Sequence, residues 1–189
     1  MKCGRLKIPV SPSRRDGLTG IFNRPHFMEL ASSTLENCQV ARQEVSLVLC
    51  DLDHFKEIND RYGHAEGDAV LKRMVTACQA HLRAADIFAR VGGEEFCIML
   101  PGCSAEDARE RAEQLRIAIS NATDKSRATI SASMGVSATR PSGYELHQLM
   151  AHADTALYQA KRAGRDCVVV YDPNSIVKQL RPGSASVAP

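Results

Sequence analysis

The chain has no excess of either charge, with 24 basic residues against 22 acidic ones and a net charge of +2. That balance lacks the electrostatic footprint expected of a nucleic-acid or membrane-surface partner. No apolar run reaches the length of a membrane span, and the amino terminus lacks the apolar core of a signal peptide. The seven cysteines, at positions 3, 38, 50, 78, 97, 103 and 167, form no C-x-x-C pair, and Cys50 and Cys97 fall inside apolar runs. So odd and scattered a set argues against a disulfide framework or a zinc site and points to free thiols in a reducing cytoplasm. A G-x-x-x-x-G-K-S/T phosphate loop is missing, and so is any internal repeat. The length of 189 residues suits one domain with a real core and short tails.

What the chain does carry is concentrated at Arg90-Val91-Gly92-Gly93-Glu94-Glu95-Phe96. Apolar residues flank it on both sides, so it reads as a hairpin with Gly92 and Gly93 at the central turn positions. Both are expected at positive φ, which glycine alone adopts without steric conflict. Glu94 and Glu95 then sit at the tip. Taken alone, this is a solvated bend with two surface acids. A second acidic cluster changes the weighting: Val45-Ser46-Leu47-Val48-Leu49-Cys50 runs straight into Asp51-Leu52-Asp53. The nearly continuous apolar run predicts a buried central strand, and the rim of an α/β sheet is where ligands gather. Asp51 among apolar neighbours needs a cation or hydrogen bonds. Should Asp51 and Glu94 meet beside a main-chain carbonyl, they would form a hard-oxygen site suited to Mg²⁺.

Periodicity and punctuation predict the remaining elements. Asn23 caps a helix that carries Pro25 in its first turn and runs to about Ala41. A strand from Val45 to Leu52, a short helix from Phe55 to Tyr62 and a longer helix ending near Leu82 follow. After the hairpin, Ser104 with Glu106 and Asp107 starts a helix that continues to about Asn121. Ala128 to Ala138 alternates as a strand, Tyr144 to Arg162 is helical, and Cys167 to Tyr171 is a final strand. The order after the first helix is βααββαβ with a closing helix and strand, an α/β (α+β) fold built on a mixed sheet. Met1 to Arg14 is expected to be an irregular leader and Asp172 to Pro189 a disordered tail, leaving residues 15–171 as the domain.

Three stretches resemble the GGDEF family, the catalytic domain of diguanylate cyclases: Asp51 through Asp60 (DLDHFKEIND), Tyr62 through Asp68 (YGHAEGD) and Arg90 through Phe96 (RVGGEEF). Further matches lie at Asp16-Gly17-Leu18-Thr19-Gly20 with Asn23-Arg24, and at Ala153 through Lys161 (ADTALYQAK) with Gly164-Arg165. The resemblance covers about Arg15 to Tyr171. It implies a ferredoxin-like, polymerase-palm-like mixed sheet with flanking helices and an active-site β-hairpin. It further implies a bacterial second-messenger enzyme, a GTP nucleotidyltransferase dependent on Mg²⁺ or Mn²⁺. In that reaction the 3′-hydroxyl of each of two GTP molecules attacks the α-phosphate of the other, pyrophosphate leaves, and cyclic di-GMP forms. Such chemistry asks for charge neutralisation and in-line positioning, which metal ions on carboxylates supply.

The resemblance also assigns residues. Asp51 and Glu94 bind the metal with the carbonyl of Leu52, and Glu94 and Glu95 are catalytic, Glu95 through a further metal contact or by activating the hydroxyl. Glu94 stands where many members have Asp, and it keeps the charge. The backbone around Phe55 and Lys56, the turn at Gly92 and Gly93, and the pair Lys161 and Arg165 hold the phosphates. A helix persisting through Gly164 would aim both basic residues from one face, whereas the ordinary reading is a basic helix end. Asn59 and Asp68 read guanine through its N1 and N2 donors. Without the resemblance, Asn59 ends a helix and Asp68 is a helix-start carboxylate.

Arg83-Ala84-Ala85-Asp86 matches the family's inhibitory product site, Arg83 offering a fork and Asp86 accepting from guanine. The competing account is a local ion pair at a helix end, worth about 0.5 kcal/mol or less. His54 and His64 take loop or structural roles, because Mg²⁺ prefers oxygen. One GTP per monomer implies a catalytic homodimer, which members usually receive from an upstream sensor domain and connecting helix. Met1 to Arg14 has neither a heptad pattern nor room for a sensor, so the expectation is a fragment, a weakly active domain, or one that acts with a partner protein. Two other readings stand beside the cyclase. One is a non-catalytic domain that holds GTP or cyclic di-GMP and signals through a partner, and the other is a metal-dependent phosphohydrolase, which fits the acidic pair alone.

Overall fold

A computed structural model describes residues 14–122 and 129–174. The leader expected over Met1–Arg14 falls outside them except for Arg14, and so does the expected tail beyond Asn174. The elements run β1 (Phe22–Asn23), α1 (Arg24–Ala41), β2 (Val45–Leu52), α2 (Phe55–Tyr62), α3 (His64–Gln79), β3 (Ile87–Arg90) and β4 (Glu95–Pro101). They continue with α4 (Ala105–Asn121), β5 (Ala132–Ala138), α5 (Thr139–Ser142), α6 (Leu146–Arg162) and β6 (Val168–Val170). The predicted order holds, with β1 and α5 as additions too short to show a period. Where a cap is present, helix starts fall as predicted: the Asn23 side chain accepts from the His26 amide at 3.1 Å, and Ser104 Oγ accepts from the Asp107 amide at 3.2 Å. α3 begins at His64, so Asp68 lies inside the helix and is not a helix-start carboxylate.

The six strands form one mixed sheet in the order β1-β3-β4-β2-β5-β6. The inner four are antiparallel, and β1 and β6 add in parallel at the two edges. Helices cover both faces. Val48, Cys50 and Leu52 of β2 pack with α3 and α4 through Met74 and Leu115, while Val45 and Leu47 pack with α1 and α6 through Phe27, Leu35 and Leu149. This double cover explains why β2 reads as an unbroken apolar run. Each fully buried Phe or Leu contributes about 2–3 kcal/mol. By the alternation of a strand, Asp51 projects to the α1/α6 side with Val45 and Leu47.

α6 lies on β5 with no side chain between them at Gly135. A Cβ there would meet the Ala153 carbonyl oxygen at 2.1 Å and the Leu157 nitrogen at 2.3 Å. Six described cysteines are free thiols, five of them buried. Burial pushes the Cys78 thiol up to about 12 and also raises Cys50 and Cys97, which leaves these thiols inert. No described helix is long and apolar enough to cross a membrane.

Candidate active site

β3 and β4 form the predicted hairpin, with Arg90 opposite Phe96. The Val91 and Gly92 amides both donate to the Glu95 carbonyl, at 2.9 and 3.2 Å, which leaves residues 91–94 as the loop. The expected positive φ at Gly92 and Gly93 does not occur; neither residue is in the left-handed region. A Cβ at 92 would meet Glu95 Oε2 at 2.2 Å and Glu95 Cβ at 3.1 Å, so a side chain there would displace the Glu95 carboxylate from the loop. The Gly93 carbonyl accepts twice from the Arg90 guanidinium, at 3.1 and 2.6 Å. Arg90 also pairs with Asp16 at 3.2 Å, and Asp16 accepts from the amide and hydroxyl of Thr19. Burial pushes the Asp16 carboxyl up, but the bonds from Thr19 and Arg90 outweigh it and hold the group below its usual range. Sequence reasoning gave Asp16 and Arg90 no role, although both fall within the stretches that match the family, Asp16-Gly17-Leu18-Thr19-Gly20 and Arg90 through Phe96.

The two acidic stretches meet. Asp51 is the register partner of Glu95 across β2 and β4, and the Leu52 amide donates to the Glu94 carbonyl at 3.3 Å. Lys161 reaches down from α6 to place Nζ 2.8 Å from Asp51 Oδ2. The Glu94 carboxyl is pushed up, first by burial and then by the charges of Asp51 and Glu95, with Lys161 opposing. Three carboxylates thus share one ammonium in a partly desolvated corner. A surplus of hard anionic oxygen fits a divalent cation such as Mg²⁺. Among the described residues no three acidic, histidine or cysteine side chains form a ready-made cage. The remaining ligands would therefore be carbonyl, water or phosphate oxygens, as is usual for Mg²⁺.

Around this corner stand the other candidate groups. His54, at φ 56°, turns the chain from β2 into α2, and its ring lies 2.7 Å from Glu57. The amides of Phe55 and Lys56 open α2 with no acceptor among the described residues, a pair of donors suited to phosphate. Asn59 lies against α3 at Gly67, the residue before Asp68: a Cβ on Gly67 would meet Asn59 Oδ1 at 2.0 Å. Arg165 is positioned differently from the expectation. α6 stops at Arg162, Gly164, Arg165 and Asp166 have φ of 114°, 66° and 45°, and the shared helix face for Lys161 and Arg165 does not exist.

A carboxylate that the sequence reading left without a role fastens the turn that carries Arg165. Asp53, 4% exposed, accepts from Ser131 Oγ at 2.8 Å, Ser133 Oγ at 2.7 Å and the Asp166 amide at 3.1 Å.

Arg83 and Asp86 line a separate cavity of about 310 Å³ with Phe22, Leu82 and Phe88. They are not an ion pair with each other. Asp86 accepts from the Arg83 backbone amide at 2.7 Å, and its charge partner is Arg111 on α4, at 2.5 and 3.3 Å. The local pair weighed from the sequence is therefore replaced by one with a residue 25 positions away. The Arg83 side chain is left exposed.

A family model described as "Diguanylate cyclase, GGDEF domain" matches residues 13–167. The chain belongs to the GGDEF family. Probable diguanylate cyclase DgcC of Escherichia coli (strain K12) is 34% identical to this GGDEF chain over 161 residues, which cover 82% of the chain and 42% of the relative. The chain spans less than half the length of the first curated relatives it matches. The GGDEF domain of DgcB from Caulobacter crescentus, solved in complex with c-di-GMP, superposes with a TM-score of 0.79 at 29% identity, covering 86% of this chain and 98% of that one. SiaD from Pseudomonas aeruginosa, solved in complex with its activator SiaC, gives 0.78 at 37% identity, covering 84% and 62%. The mixed sheet with helices on both faces is the palm-like fold of these GGDEF structures.

Proposed function

We propose that residues 15–171 form the catalytic domain of a diguanylate cyclase that condenses two GTP into cyclic di-GMP and two pyrophosphates. The observation that carries this reading is the convergence of Asp51, Glu94, Glu95 and Lys161 at the end of β2, beside the open amides of Phe55 and Lys56. Asp51 and Glu94, with the Leu52 carbonyl, would hold the divalent ion. Bound there, Mg²⁺ or Mn²⁺ neutralises phosphate charge and acidifies a hydroxyl. Glu95, across from Asp51, accepts the proton of the 3′-hydroxyl. Lys161, Arg165, the two α2 amides and the turn at Gly92 and Gly93 hold the phosphates, and Asn59 with Asp68 selects guanine.

One GTP per chain makes the active species a symmetric homodimer, with the two sites facing. Product docks at Arg83 and Asp86 and arrests the reaction, a reading supported by the solved DgcB complex. An upstream sensor or a partner protein brings the two copies together, in line with the SiaD complex with its activator. The free, buried thiols and the GTP substrate support a cytoplasmic location. Incubation with GTP and Mg²⁺ tests the reading. A cyclic dinucleotide is expected; unchanged GTP would leave a binding domain, and GDP with phosphate a hydrolase. Glu94→Ala should lower product formation by about a hundredfold or more, and a wild-type rate in that variant refutes the metal assignment.

A further inference from the structure

In the cyclase reading two basic side chains, Lys161 and Arg165, hold the phosphates, and the fold secures them in different ways. Lys161 belongs to α6 and is fixed by its ion pair with Asp51 at 2.8 Å. Arg165 lies past the helix end and is exposed, and its side chain has no ion pair or hydrogen bond among the described residues. The direction of its guanidinium is therefore set by the backbone of the turn. That turn is costly to hold, because Arg165 and Asp166 both take left-handed φ, 66° and 45°, where residues with a Cβ are strained. Two contacts hold Asp166 in place. Its amide donates to Asp53 Oδ2 at 3.1 Å, and its carboxylate accepts from Arg116 of α4 at 2.7 Å.

The donors to Asp53 are all neutral: Ser133 Oγ on one oxygen, Ser131 Oγ and the Asp166 amide on the other. A buried carboxylate met by neutral donors alone costs more than an apolar side chain would in the same place. The position of Asp53 in the chain supplies the reason for it. It directly follows Asp51 and Leu52, the proposed metal ligands, and its own amide donates to the Ser131 carbonyl at 2.9 Å. One side chain thus joins the strand end that would hold the metal to the turn that carries Arg165. We propose that Asp53 is a positioning residue of the candidate active site, which sets Arg165 relative to Asp51 and Leu52 so that both sides engage the same GTP phosphates. Its purpose rests on the cyclase reading, and its action is on nucleotide binding, through Arg165, without contact to the reacting atoms.

The test is a double-mutant cycle on nucleotide affinity. Calorimetric titration with 3′-deoxy-GTP and Mg²⁺ isolates binding, because that nucleotide lacks the attacking hydroxyl. Asp53→Ala and Arg165→Ala should each weaken binding roughly tenfold. Since Asp53 acts through Arg165, the double variant should bind within about twofold of Arg165→Ala alone, whereas independent defects multiply. Asp53→Asn should stay within about threefold of wild type, its carbonyl accepting from Ser131 and Asp166 while its amide donates to Ser133 Oγ. Arg116→Ala loosens the same turn from the other side and carries the test should Asp53→Ala fail to fold. It should weaken binding by about threefold in the wild-type background and not at all beside Arg165→Ala. Wild-type affinity in Asp53→Ala or Arg165→Ala, an Asp53→Asn as weak as Asp53→Ala, or losses that multiply in the double variants overturn the proposal. The expected coupling in a protein that makes no cyclic dinucleotide from GTP would instead sink the cyclase reading and leave the positioning role of Asp53 in nucleotide binding standing.

Discussion

Glu94 is a destabilising residue in the metal-free protein. Its carboxyl is pushed above the usual glutamate range by burial and by the neighbouring charges of Asp51 and Glu95. The folded state therefore holds a proton that the unfolded chain releases at lower pH. The associated stability is fully present below the ordinary glutamate pKa and is lost as pH rises through the elevated one. Glu94→Gln should then melt higher than wild type at neutral pH without metal, and the gap should close as pH falls below the ordinary glutamate range. Adding Mg²⁺ should raise the melting temperature of wild type more than that of the variant. Thermal melts over a pH series check both statements, and a variant that melts below wild type at neutral pH contradicts them. The clustering of Asp51 with Glu94 was legible in sequence from the motif and from the cost of leaving Asp51 unpartnered. What escaped were the groups that act through shape: Glu95 folds its carboxylate back against Gly92, a contact independent of any positive φ.

At the scale of elements, the site depends on how closely α6 approaches the sheet. Gly135→Ala would drive a methyl into the backbone of α6 at Ala153 and Leu157, which have no flexible atoms to yield. The helix must lift, and Lys161 lifts with it. Destabilisation of about 3 kcal/mol or more is expected, together with weaker GTP binding; chemical denaturation and nucleotide titration read the two effects. Helices and strands with caps or long periods were readable in advance, such as α1 behind Asn23 and α4 behind Ser104. β1, α5 and the left-handed turn at Gly164 to Asp166 were not. Each is too short for periodicity, and the turn is held by Asp53, whose partners lie 78 to 113 residues away.

For the whole molecule, the cavity at Arg83 and the acidic corner lie at the two ends of β3 and its hairpin loop. Arg111 anchors Asp86 from α4, so the carboxylate is set before any ligand arrives, while the Arg83 side chain stays exposed. Arg83→Ala should consequently leave the initial rate within about twofold of wild type while raising the product concentration needed for half-arrest by about tenfold. Progress curves with added cyclic di-GMP measure both, and unchanged arrest rejects that site.

The Asp53 carboxylate ties the end of β2 to the start of β5 and to the turn after α6, three stretches spread across most of the domain. Such long-range closure comes late when a chain assembles. A polypeptide that stops short of Asp166 keeps every acid of the signature and the register that sets Asp51 beside Glu95, but it lacks the amide that fastens the turn after α6 to Asp53.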